Sequence, residues 1–170
     1  RTSSSAASDV YKRQLPKFPV RLDTPNQPFR LLENNNLRRY VAQSGLIGPD
    51  GIDASGNRAR YASQGVIDNG DGSHTLTLAW MGNDPLGMQV YKRFTAHDDR
   101  YDVNVFFDIR NDGSSIASVT SFAQLKRDNT QAPDGNTGFG VSPYLGAALT
   151  QPDERYTKLS FCLLYTSDAA

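Results

Sequence analysis

The chain has 170 residues, with 18 Lys and Arg balanced by 18 Asp and Glu, and a single cysteine. That length suits one domain rather than several, and neutrality leaves no charge field for gathering nucleic acid or an anionic membrane surface. One thiol cannot form an internal disulfide or a cysteine-based zinc site, and no apolar run reaches the length of a membrane span.

The two ends encode each other. Asp9-Val10-Tyr11-Lys12-Arg13-Gln14 back-translates as GAT GTG TAT AAG AGA CAG; the reverse complement, read one base out of frame, gives Cys162-Leu163-Leu164-Tyr165-Thr166-Ser167. The match continues outward, from Ala6-Ala7-Ser8-Asp9 to Ser167-Asp168-Ala169-Ala170. A translated sequencing adapter at both ends of a DNA fragment has this property, whereas unrelated protein termini have no reason to share it. Residues 1–14 and 162–170 are therefore expected to be adapter-derived, and residues 15–161 to be a partial β-sandwich domain cut from a longer gene. That central segment contains no cysteine and stays close to neutral.

In chain order the pattern is β throughout. Residues 38–43 give the first strand signal, followed by a long polar loop over 48–57. Asp68-Asn69-Gly70-Asp71-Gly72-Ser73 reads as a hairpin turn, because Asn and Gly tolerate the positive φ angles of tight turns. Residues 74–80 alternate Leu76, Leu78 and Trp80 with Thr75, Thr77 and Ala79, the period of a half-buried strand. Residues 88–95 read similarly. Across 100–110, Tyr101, Val103, Val105, Phe107 and Ile109 alternate with mostly polar partners. Asn111-Asp112-Gly113-Ser114 gives a second hairpin signal ahead of a strand over 115–125. A second long loop covers 128–142, one helical turn is expected over 150–154, and a last strand over 155–161. Antiparallel strands at hairpin spacing, with no repeat or internal boundary, predict an all-β sandwich.

No catalytic constellation stands out. His74 and His97 lie beside turns, and as bases or ligands each would need a carboxylate or second imidazole; both are read as surface or turn residues. The 68–72 run resembles a calcium loop in composition, but Gly70 falls on a ligand position and no Glu follows. Gly138-Phe139-Gly140 lacks the third glycine and the strand-to-helix context of a dinucleotide site. Ser44-Gly45 and Ser114-Ser115 have no histidine nearby in sequence that suggests a triad. Trp80 with Tyr91, Tyr101, Tyr144 and Tyr156 could stack on a sugar, but aromatics on alternating strands more often fill a core. No catalytic, cofactor-binding or metal-binding residue is assigned, and no cofactor is expected.

Several segments, taken together, carry a resemblance. They are Leu15-Pro16-Lys17-Phe18-Pro19, Gln27-Pro28-Phe29-Arg30-Leu31-Leu32-Glu33, Tyr40-Val41-Ala42-Gln43-Ser44-Gly45-Leu46-Ile47-Gly48-Pro49-Asp50-Gly51 and Tyr101-Asp102-Val103-Asn104-Val105. Ser121-Phe122-Ala123-Gln124-Leu125-Lys126, Gly146-Ala147-Ala148 and Pro152-Asp153-Glu154-Arg155-Tyr156 follow. In this order and spacing they resemble the large periplasmic domain of the YidC membrane protein insertase family in its Gram-negative form. The stretches 40–51 and 121–126 are the most specific, and the loops around 52–57 and 129–139 match poorly.

The resemblance implies an antiparallel β-supersandwich of the galactose mutarotase-like type, truncated here at both ends. It also implies a segment on the periplasmic side of the bacterial inner membrane, anchored outside this window. The family's role is to help hydrophobic segments of new inner-membrane proteins insert and fold, alone or with the Sec translocon. The chemistry is physical, not covalent, and the intramembrane groove that carries it lies outside this chain. On this reading the chain is a non-catalytic docking or substrate-proximal module with no nucleic-acid partner. The alternatives are a carbohydrate-binding or aldose-epimerase-like β-sandwich, and a secreted structural β-domain. Cut from its domain, the segment is expected to expose unpaired strand edges and to be prone to aggregation or partial folding.

Overall fold

The computed structural model describes residues 9–10, 13–54, 58–82, 87–129, 144 and 146–160. Within them, turn residues punctuate β-branched and aromatic runs, giving β1 (Asp9–Val10), β2 (Arg13–Pro19), β3 (Pro28–Asn34), β4 (Arg39–Ile47), β5 (Tyr61–Asp68) and β6 (Ser73–Trp80). The remaining strands are β7 (Met88–His97), β8 (Val103–Asn111), β9 (Thr120–Arg127), β10 (Gly146–Leu149) and β11 (Thr157–Ser160). All pairings are antiparallel. Among the described residues no helix is long and apolar enough to cross a membrane.

β4 is the hub of the first sheet. Along one edge its residues 40–47 pair with residues 127–120 of β9. Its other edge takes β3 at Arg39 and Tyr40 and β1 at Ala42 and Gln43, and β2 continues the sheet beyond β3. The second sheet is the meander β5-β6-β7-β8. Its first hairpin closes through the expected turn. Asp68 Oδ1 accepts the Gly70 amide at 2.8 Å, and Asp71 Oδ1 accepts the Ser73 amide at 2.9 Å. The register of β5 slips between Ser63 and Gly65, and Gly65 sits at φ 101°, a left-handed backbone that a β-bulge accommodates most easily at glycine. β10 and β11 form a separate two-stranded ladder.

The core lies where β4 meets the second sheet. Leu46 packs with Met88 and Val90, and Ala59 and Tyr61 pack with Leu78; Ile52 and Trp80 touch both groups. Trp80 is thus a core residue, as aromatic alternation suggests.

Three local expectations are corrected. Asn111-Asp112-Gly113-Ser114 does not close a hairpin, because β8 belongs to the second sheet and β9 to the first. The strand expected from 115 begins only at Thr120. The intervening residues cross between sheets: Ala117 and Val119 pack on the core, and Asp50 holds Ser118 through both its amide and its carboxylate. The helical turn over 150–154 is also absent. Leu149 faces Thr157 across the ladder, so this segment must reverse the chain; it does so with Gln151 donating to the Glu154 carbonyl and Tyr156 at φ 63°. Of the loop expected over 128–142, residues 130–142 lie outside the described residues.

Candidate functional site

Between the two sheets opens a cleft of about 270 Å³. Ala42 and Ser44 from β4, Ala123 and Leu125 from β9, Phe94 from β7 and Val105 from β8 line it. Strand alternation brings these mostly apolar side chains to facing positions. On the first sheet, Gln124 donates to the Gln43 side chain at 2.7 Å.

Beneath the cleft lies a polar cluster at the seam between the sheets. Lys92 of β7 is fully buried, in phase with the buried Met88 and Val90. Its Nζ donates to the Ser44 carbonyl at 2.8 Å, crossing from the second sheet to the first. The rings of Phe94 and Phe107 stand 5.3 and 5.2 Å from Nζ, within cation–π range. Burial pulls this ammonium down from the ordinary 10.5 to about 8; the Asp53 carboxylate opposes that shift and the Arg58 cation adds to it.

Asp53 organises the same region. Its carboxylate accepts the Leu46 amide at 2.9 Å and the Ala59 amide at 3.0 Å, while its own amide donates to the Leu46 carbonyl. It thereby satisfies the β4 edge beyond the residues that β1 covers. Gly45 makes room for it, since a Cβ there would meet Asp53 Oδ2 at 2.5 Å and Phe122 Cε1 at 2.6 Å. Burial, and then Asp53, push the Tyr61 phenol well above its usual range.

The residues weighed from sequence are scattered by comparison. Half-buried His74 places Nε2 3.2 Å from Oδ1 of the exposed Asp98. His97 pairs in register with Ser73 and stands near enough to Asp71 to favour its charged form, although hydrogen bonds from Ser73 contribute more. The Asp68 and Asp71 carboxylates are engaged in closing their turn. Tyr101 packs on Phe18 with ring centroids 5.8 Å apart, whereas Tyr144 and Tyr156 flank Lys158. The aromatic residues thus form no single platform. Ser44 enters the site through its carbonyl rather than its hydroxyl, and Gly138-Phe139-Gly140 lies outside the described residues. Among the described residues, no group of three or more His, Cys, Asp or Glu is placed to hold a metal ion.

Sequence reasoning missed Lys92 and Asp53. The signal for Lys92 was present: a lysine occurs where the alternation of Met88, Val90 and Phe94 calls for an apolar residue.

Antiparallel sheets packed on a shared core, with an apolar cleft over a buried polar seam, define an all-β sandwich-like domain. The YidC periplasmic domain family model matches residues 3–167, and the chain belongs to that family. It is 42% identical over 154 residues to the membrane protein insertase YidC of Pseudomonas putida strain F1, covering 89% of this chain and 27% of that protein. The corresponding protein of Pseudomonas entomophila strain L48 is 40% identical over 153 residues, and that of Azotobacter vinelandii strain DJ 41% over 154, each across 89% of this chain. The chain thus spans about 27% of the length of the curated relatives it matches. The family is one of membrane insertases, and this part of it is the periplasmic domain.

Proposed function

We propose that the chain serves a membrane protein insertase as a non-catalytic docking or substrate-proximal module on the periplasmic side of the bacterial inner membrane. The full-length protein, anchored outside this segment, would assist insertion and folding of inner-membrane proteins, alone or with the Sec translocon. The observation that carries this reading is the family match across residues 3–167, with relatives named membrane protein insertase at about 40% identity. The inter-sheet cleft supports the docking role, since its lining is mostly apolar and Leu125 at its border is 67% exposed. A galactose mutarotase-like supersandwich is the architecture proposed for the whole domain.

The carbohydrate reading draws less support. The aromatic residues it would use lie apart, and His74 pairs with an exposed aspartate at the tip of the second sheet.

The test is site-specific photocrosslinking from position 125 in the full-length insertase during membrane protein synthesis. Adducts with a nascent inner-membrane protein or a Sec component are expected. Absence of adducts above background overturns the docking role. Millimolar or tighter binding of a simple hexose, abolished by His74→Ala or His97→Ala, would move the carbohydrate reading to the front.

A further inference from the structure

A lysine buried between two sheets is an expensive way to join them, and its placement gives it a property that an apolar contact lacks. Lys92 reaches from β7 to the Ser44 carbonyl of β4, and both Ser44 and Phe94, the residues it touches, line the cleft. The groups facing it come from each element packed around it. Asp53 follows β4, Arg58 precedes β5, and the Phe107 ring comes from β8. Tyr61 of β5 enters through its interaction with Asp53. Leu78, its neighbour across the ladder on β6, is apolar.

We propose that Lys92 is a proton-dependent clasp between the two sheets, so that protonation favours a solvated, opened seam beneath the cleft and deprotonation favours the closed one. In the opened state water surrounds the amine, which then titrates near its ordinary 10.5, whereas closed it titrates near 8. Between those values the closed state holds fewer protons, so closure strengthens as pH rises and the effect flattens below about pH 7. The neutral amine can still donate to Ser44, so closure does not require the charge. The Tyr61 phenol, pushed upward, opposes the trend only at more alkaline pH. The opening constant is expected to fall about tenfold from pH 7 to pH 9. The device is intrinsic to the seam and does not rest on the proposed docking role.

Hydrogen exchange of the Leu46 and Ala59 amides in the full-length insertase reads the seam directly, because both bond to Asp53. The comparison is made where reclosing outpaces exchange and after correction for the intrinsic pH dependence. Protection of both amides should rise about tenfold between pH 7 and pH 9 and should become flat with pH in Lys92→Met. Flat protection in the unaltered chain, or the same rise in Lys92→Met, overturns the proposal. Should Lys92→Met fail to fold, the Cε resonance of Lys92 in the unaltered chain decides. A midpoint near 8 is expected, and a midpoint in the ordinary lysine range refutes the clasp.

Discussion

Replacing Asp53 with Asn keeps the side chain's size and removes its charge, so it isolates what the carboxylate does at the seam. The two oxygens now accept the Leu46 and Ala59 amides at 2.9 and 3.0 Å. An amide side chain has one acceptor oxygen; its NH2 group would face the second backbone N–H and leave that donor unsatisfied. Hydrogen bonds to a charged group contribute about 1.5–3 kcal/mol, and an unpaired buried donor costs a similar amount. With the surviving bond weakened as well, the expected loss is about 3 kcal/mol. Urea unfolding of the complete periplasmic domain, followed by the fluorescence of Trp80, the single tryptophan of this segment and a neighbour of both core groups, measures it. At a denaturant slope of about 2 kcal/mol per molar, the midpoint should fall by about 1.5 M. The substitution also withdraws the negative charge that favours the Lys92 ammonium, so that amine should titrate lower still. Part of the deficit should therefore disappear at pH 9, where Lys92 is mostly neutral. A midpoint shift below about 0.3 M with unchanged slope would refute the role assigned to the carboxylate.

Gly45→Ala should destabilise the same region by about 1–3 kcal/mol, because the added Cβ meets Asp53 Oδ2 and the Phe122 ring. Combined with Asp53→Asn in urea unfolding it should be clearly less than additive, since both changes disturb one carboxylate; full additivity would show that the two sites act independently. Resequencing the source DNA outward from the codons of Leu15 and Phe161 is expected to replace residues 1–14 and 162–170 with unrelated flanking sequence. Recovery of both tails from independent clones would overturn the adapter reading, and Asp9–Val10 would then stand as a native partner of β4.

Three strands of the second sheet were the legible part of the fold. β6, β7 and β8 combine alternation with strong turn signals, and the structure places them within a few residues of the expected bounds. β2, β3 and β5 escaped because their patterns are broken. Pro16 and Pro19 interrupt β2, Arg30 and Glu33 dilute β3, and Gly65 shifts the phase of β5. The crossover after β8 was hidden for another reason. Asn-Asp-Gly-Ser reverses a chain locally whether or not the next strand joins the same sheet, so sequence alone cannot choose the sheet that β9 completes. The cleft and its seam were equally out of reach, because they unite β4, β7, β8 and β9 across long sequence separations. Only the family resemblance, carried by short motifs, spanned such distances.

The seam raises the question of why position 92 carries a charge at all. Its neighbours Leu78, Phe94 and Phe107 would pack against an apolar side chain of similar length, and replacing a buried ion with a well-packed hydrophobe is often neutral or stabilising. The Ser44 carbonyl is the part of the surroundings that an apolar side chain could not satisfy. Among the described residues, Asp53 bonds the β4 edge at Leu46, and the Lys92 contact at Ser44 falls two residues before it on the same edge. There a long, flexible donor reaches the carbonyl from the facing sheet. It also joins the two sheets at one point and makes the joint sensitive to water and to protons. Lys92 meets the cleft through Ser44 and Phe94, both of which line it, so the polar joint and the apolar walls share residues and a change at position 92 reaches both.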